Sequence, residues 1–276
     1  MGNSITRVAA MQMVSGTDVQ ANLDSAAGLI RKAVADRASF LLLPENFALM
    51  GRQEQDKLRI MEAYGQGPIQ AFLSDQARQH RIWLMGGTIP LKADTVIKVR
   101  AACLLYDPQG ACIARYDKMH LFDVAVGSGA QDIYNESVTI EGGTDITVAR
   151  TPLGNIGMSV CYDVRFPEIY RSMHKNNVNI ITVPSAFTAT TGKAHWETLL
   201  RTRAIENLCY VIASNQGGRH INNRETWGHS MVVSPWGEVL AVIEQGEGIA
   251  CADIDLGKLQ ELRNRFPSLD HRKITQ

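Results

Sequence analysis

Three residues of this chain could do chemistry together: Glu45, Lys118 and Cys161. Cys161 lies in Gly157-Met158-Ser159-Val160-Cys161-Tyr162-Asp163-Val164-Arg165-Phe166-Pro167-Glu168, where a short apolar strand pattern runs into the cysteine and a helix pattern starts near Phe166. A thiol at a strand end, facing a helix N-terminus, is placed to ionise and attack. Glu45 follows the apolar run Phe40-Leu41-Leu42-Leu43, and Lys118 follows the strand pattern Ala111–Tyr116. An acid, a base and a nucleophile thus occupy three strand ends, and they converge if those strands share a sheet. Each also has an ordinary reading. Glu after Pro serves as a turn residue or cap, Lys after a strand is solvated, and Cys in an apolar run is a small core residue.

The surrounding pattern alternates strands and helices. Arg7–Met13 reads as a strand and Asp18–Ala38 as a helix with an apolar stripe through Asn22, Leu23, Ala26, Ala27, Ile30 and Val34. Pro68–His80 reads as a helix with proline in its first turn, followed by a strand from Ile82 into Gly86-Gly87. Asp107-Pro108-Gln109-Gly110 is a turn between the strands Val99–Tyr106 and Ala111–Tyr116, and a polar loop is expected over Asp123–Glu136. Strands near Thr144–Ala149 and Ile156–Val160 precede a helix around Phe166–Asn176 and a strand Asn179–Val183. Lys193–Leu208 reads as a helix and Tyr210–Ser214 as a strand. A turn at Ser234–Glu238, a strand Gly248–Ile254 and a helix capped by Asp255 complete the pattern. Helices alternating with strands and interleaved hairpins predict α/β layers on a mixed sheet, in one domain over residues 1–276.

Composition narrows the function. Of 276 residues 45% are hydrophobic and the formal net charge is +0, so neither nucleic acid nor an anionic membrane is an expected partner. No apolar run approaches the ~20 residues that span a bilayer. The first residues lack a charged-then-apolar leader pattern. Met1–Thr6 formally fits a myristoylation pattern, but such short matches arise by chance and lipidation is not expected. Five irregularly spaced cysteines, an odd number, predict a reduced cytoplasmic protein. No Cys-x-x-Cys pair or close His cluster suggests a metal.

Longer segments carry a resemblance. Leu42-Leu43-Pro44-Glu45-Asn46, Tyr116-Asp117-Lys118-Met119-His120-Leu121-Phe122-Asp123 and Gly157–Arg171 resemble the nitrilase superfamily of carbon–nitrogen hydrolases. Thr191–Glu197 and Arg201–Asn207 resemble its small-amidase branches, and Gly217-Gly218-Arg219-His220 with Gly228-His229-Ser230-Met231-Val232-Val233 resemble most the deaminated-glutathione amidase branch, and next the omega-amidase branch. The resemblance implies a four-layer α-β-β-α sandwich of two mixed sheets, a Glu45–Lys118–Cys161 triad, and Glu136 as the second glutamate, holding the substrate amide or the lysine. It implies no metal or organic cofactor, a small-molecule amide substrate and a homodimer. The backbone N–H of Tyr162 is the expected second oxyanion donor beside Lys118. Tyr162-Asp163-Val164-Arg165 resembles the amidase branches, where nitrilases carry Trp-Glu; a carbamoylase, or a binding subunit on the same fold, stays open.

Both amide substrates present a small acidic acyl chain. Arg165 and Thr190 or Thr191 are nominated as carboxylate contacts, with a structural ion pair an equal alternative for Arg165. His195 is a candidate pocket residue or a packing residue. Arg219, with His220 and Arg224, lies in a polar loop that could supply a cation to a Cys-Gly leaving group. Two departures from the family pattern are Ala101, where Asn is common, and Gly127, where Pro is common.

Overall fold

The computed structural model describes residues 5–95, 97–126 and 133–274. Its strands are β1 (Ile5–Gln12), β2 (Phe40–Leu42), β3 (Trp83–Met85), β4 (Ile89–Lys92), β5 (Val99–Tyr106), β6 (Cys112–Asp117), β7 (Asp123–Ala125), β8 (Ile133–Asn135), β9 (Val148–Thr151), β10 (Gly154–Met158), β11 (Ile180–Ser185), β12 (Tyr210–Asn215), β13 (Ser230–Val233), β14 (Val239–Ile243) and β15 (Gly248–Asp255). The helices are α1 (Val19–Ala35), α2 (Asp56–Arg59), α3 (Pro68–His80), α4 (Pro167–Met173), α5 (Ala189–Asn207) and α6 (Leu256–Arg265).

Two mixed sheets result, ordered β15-β1-β2-β3-β5-β4, with β6 on β5, and β14-β13-β12-β11-β10-β9. The parallel pairs β1–β2–β3 and β10–β11–β12 sit at the centres, and hairpins complete the edges. Alternation along β1 shows how the layers stack. Val8 and Ala10 enter one core with Ile181, Val183, Met231 and Val233 of the other sheet. Ala9 and Met11 face the opposite way, into a second core with Leu29, Ile30 and Leu73 of α1 and α3. On the far side, Ile169, Tyr170, Trp196 and Leu200 of α4 and α5 cover the second sheet. This is the expected α-β-β-α sandwich. Ser214 pins its two sheets across the middle: its hydroxyl accepts from Met11 N at 3.0 Å and donates to Leu42 O at 2.8 Å.

Local chemistry accounts for the differences from the sequence reading. Asp18 caps α1 by accepting from Ala21 N, and Leu29 and Ala33 are buried in place of Ala27 and Val34. Helix α5 begins at Ala189 and not Lys193, because the Thr188 side chain caps it by accepting from Thr191 N. The helix expected over Phe166–Asn176 is α4 followed by a 3-10 turn. The strand expected near Thr144 begins at Val148, since Gly143 lies against the Lys118 segment: Gly143 N donates to Lys118 O at 2.9 Å, and a Cβ there would sit 2.3 Å from Asp117 O. The expected polar loop over Asp123–Glu136 carries the β7–β8 hairpin. Gly127 and the Met1–Ser4 part of the myristoylation match lie outside the described residues.

Candidate active site

Glu45 leaves the end of β2 through Pro44, whose carbonyl lies where a Cβ on Gly87 would be, so only glycine fits that crossing. Gln216, beyond β12 of the other sheet, donates to Glu45 O at 3.0 Å. The carboxylate is buried, with Oε2 accepting from Ala186 N at 2.8 Å and Oε1 from Lys118 Nζ at 2.9 Å. Lys118 follows β6 and is fully buried, its backbone N held by Ala101 O at 3.0 Å. Ala101 thus contributes its carbonyl, while its side chain packs with Val99 and Ile140. Lys118 Nζ also reaches Glu136, at 2.7 Å from Oε2 and 3.0 Å from Oε1. Phe122 N binds Glu136 Oε2 at 2.9 Å, which orients that second carboxylate. Burial alone would lower the Lys118 pKa; Glu136 and Glu45 outweigh it and hold the ammonium well above the usual lysine value.

Cys161 has φ +48°, a left-handed backbone that costs a non-glycine residue roughly 1–2 kcal/mol. It starts a 3-10 turn, Cys161–Arg165, between β10 and α4, and is 7% exposed. Burial, then the nearby Glu45 charge, push its thiol well above the ordinary cysteine value, against the opposing pull of Lys118 and Ala186 N–H. That direction disfavours a free thiolate and gives a base the task of taking the proton as the sulfur attacks.

A cleft opens above this cluster. Glu45, Glu136, Cys161, Tyr162 and Thr191 line it. Arg165, Thr190, His195 and Arg219 do not. The Arg165 guanidinium packs over the Phe187 ring, 5.2 Å from its centroid, and lies 3.3 Å from His195 Nδ1; Arg165 is half-buried and His195 exposed. Thr190 is exposed in the first turn of α5. Arg219 is exposed and donates to Asn223 Oδ1 at 3.2 Å. His220 is buried between Ser15 O and Thr226 Oγ1, and burial lowers its pKa. The cation that this loop does bring to the cleft is Arg224. It donates to Glu54 Oε1 at 2.7 Å and packs over the Tyr134 ring. Lys57 binds the other oxygen of Glu54 at 2.7 Å. Burial raises the Glu54 pKa, but Lys57 and Arg224 together bring it down to about 2.

Residues 7–264 match the family model described as carbon-nitrogen hydrolase. The chain belongs to the carbon–nitrogen hydrolases of the nitrilase superfamily. It is 42% identical to a Synechocystis protein named deaminated glutathione amidase, over 96% of this chain and 97% of that one. The human protein of that name is 39% identical over 96% of this chain and 82% of its own length. Among solved structures, yeast Nit3, described as a member of branch 10 of the nitrilase superfamily, superposes with TM-score 0.87 at 29% identity, covering 98% of this chain and 97% of that one. The Caenorhabditis elegans NitFhit protein gives TM-score 0.90 at 36% identity over 99% of this chain, which spans 66% of that longer polypeptide.

Several residues of this carbon–nitrogen hydrolase site escape a reading of the sequence. Glu54 and Lys57 look like a solvated polar stretch, with only their (i, i+3) spacing as a signal. Thr188, Phe122 and Tyr134 line the cleft from segments with no periodic pattern.

Proposed function

We propose that the chain is a thiol amidohydrolase that hydrolyses deaminated glutathione to 2-oxoglutarate and Cys-Gly. The observation that carries this reading is the buried Lys118 ammonium, bound by Glu45 and Glu136 beside the Cys161 thiol. Glu45 takes the thiol proton as the sulfur attacks the amide carbonyl. The oxyanion forms against Lys118 Nζ and the Tyr162 N–H. As the C–N bond breaks, Glu45 passes the proton to the departing nitrogen of Cys-Gly, leaving a thioester on Cys161. Glu45 then activates a water that attacks the thioester, restoring the thiol and releasing the acid. Glu136 holds the lysine throughout.

The names carried by the Synechocystis and human relatives support the substrate. The outer cleft supports it too, because Arg224 and Lys57 share one carboxylate there and can meet the terminal carboxylate of Cys-Gly. An omega-amide such as 2-oxoglutaramate has ammonia as its leaving group and gains nothing from those cations. Arg224→Gln is expected to lower kcat/KM for deaminated glutathione by about tenfold, the value of one charged hydrogen bond, and to leave 2-oxoglutaramate nearly unaffected. Equal or better wild-type turnover of 2-oxoglutaramate would instead favour an omega-amidase.

The chain acts as one domain over residues 1–276, in the cytoplasm, as a homodimer. Five free cysteines fit a reducing compartment. Trp236 and Phe266, 59% and 49% exposed, pack edge to face, and Ile205 lies over adjoining Gly237. An exposed apolar group of this kind suits burial against a second copy. Light scattering should give about twice the 30.4 kDa chain mass, and a monomer at micromolar concentration would refute the dimer.

A further inference from the structure

Asp163 is fully buried, yet the chemistry above does not use it. A buried carboxylate is costly to desolvate unless hydrogen bonds replace its water, and here they do. Oδ2 accepts from Val160 N at 2.8 Å and from the Tyr116 hydroxyl at 2.7 Å. Oδ1 accepts from His120 N at 3.0 Å and lies 2.7 Å from His120 Nδ1, which donates when that nitrogen carries its proton.

The donors come from both sheets. Val160 is the residue before the nucleophile, past the end of β10. Tyr116 is on β6, and His120 follows Lys118 across Met119. One carboxylate therefore ties the nucleophile's backbone to both flanks of the lysine. Ring contacts reinforce the tie: His120 stacks on Phe166 at 3.7 Å between centroids, and Phe122 meets Tyr162 edge-on at 5.0 Å. The backbone N–H of Asp163 also donates to Val160 O at 3.0 Å, closing the turn around Cys161. A non-glycine residue stays in a left-handed conformation when its surroundings over-determine it, and these bonds do so at Cys161.

We propose that Asp163 is a positioning residue, which fixes the Cys161 sulfur relative to the Lys118 ammonium. The inference rests on the amidase reading for its catalytic meaning. The titratable and charged groups that face Asp163 are Tyr116, His120 and Tyr170, with Arg203 of α5 over the Tyr170 ring. Those that face Cys161 are Glu45, Lys118 and Glu136.

The test compares wild type, Asp163→Asn and Tyr116→Phe. The rate of iodoacetamide alkylation at Cys161, read by peptide mass mapping, is measured from about pH 6 to about pH 9, where thiolate formation controls it. Thermal melting and amide kinetics are run in parallel. In both variants alkylation should slow about fivefold or more across this range, because the sulfur has moved off the cation that favours thiolate. For a hydrolysed amide, kcat should fall about tenfold or more, with KM within about threefold. A buried anchor with no positioning role would lower the melting temperature and leave the alkylation profile of folded enzyme unchanged, and that result in both variants overturns the proposal. If Asp163→Asn does not fold, Tyr116→Phe, which loses one hydroxyl, decides alone. Wild-type enzyme that hydrolyses no amide would overturn the amidase reading and leave the alkylation comparison valid.

Discussion

Lys118→Met is expected to lower kcat by about a thousandfold, the upper range for loss of one oxyanion donor, and to destabilise the fold by about 3–5 kcal/mol. Both effects come from the same atom. Lys118 Nζ binds both Glu45 and Glu136 from a position fully shielded from solvent. Methionine fills the space and removes the charge, so two carboxylates are left facing each other without a counterion. Adding Glu136→Gln removes one of them, and the double variant should regain much of the stability with no gain in rate. That split separates the lysine's structural part from its catalytic part. The sign of the pH dependence follows from the raised pKa. The stabilisation is fully present below the unfolded lysine value, about 10.4, and is lost only as pH rises through the still higher folded value. The wild-type lysine contribution should therefore be the same at about pH 6 and about pH 9, while urea midpoints should show a smaller loss for Lys118→Met at about pH 6, where one of the two unpaired carboxylates takes up a proton. A fall in kcat of less than about tenfold would mean that the oxyanion forms elsewhere.

Cys161→Ala should abolish turnover, with a loss of about 10⁴-fold or more, as when other nucleophiles are removed. Intact mass spectrometry of wild-type enzyme during turnover should show an acyl adduct on Cys161, and the alanine variant should show none. Stability should change little, since the alanine keeps the same left-handed backbone at φ +48° and loses only one sulfur. Hydrolysis by Cys161→Ala within about tenfold of wild type would refute a thioester route.

Glu45, Lys118 and Cys161 were legible because each follows a strand-like run, and a run that stops at a charged or nucleophilic residue is a pattern a sequence can show. The α-β-β-α layering followed from the family resemblance and not from periodicity. The pairing of β15 with β1 joins Ile5 to Asp255, and nothing local encodes it. Glu136 likewise came only through the resemblance, because its place is set by a backbone donor, Phe122 N. The loop with Arg219, His220 and Arg224 shows the limit most clearly. It has no periodicity, so the sequence does not reveal that Arg224 turns to the cleft while Arg219 pairs with Asn223. The balance at the Cys161 thiol has the same origin. The sequence shows the lysine that favours a thiolate, while burial and the Glu45 charge depend on three-dimensional packing.

The site straddles the seam between the two sheets. Glu45 and Lys118 leave strands of the first sheet, while Cys161, Ala186 and Gln216 leave strands of the second. Neither half holds a fragment of the centre that could work alone. Every catalytic distance is a contact between segments far apart in the chain, and such contacts form late, after the loop-closure entropy has been overcome. During refolding, helices and individual hairpins are expected to regain their spectroscopic signals before hydrolytic competence, which needs the docked sheets. Enzymatic activity would then serve as a clock for the last step of assembly.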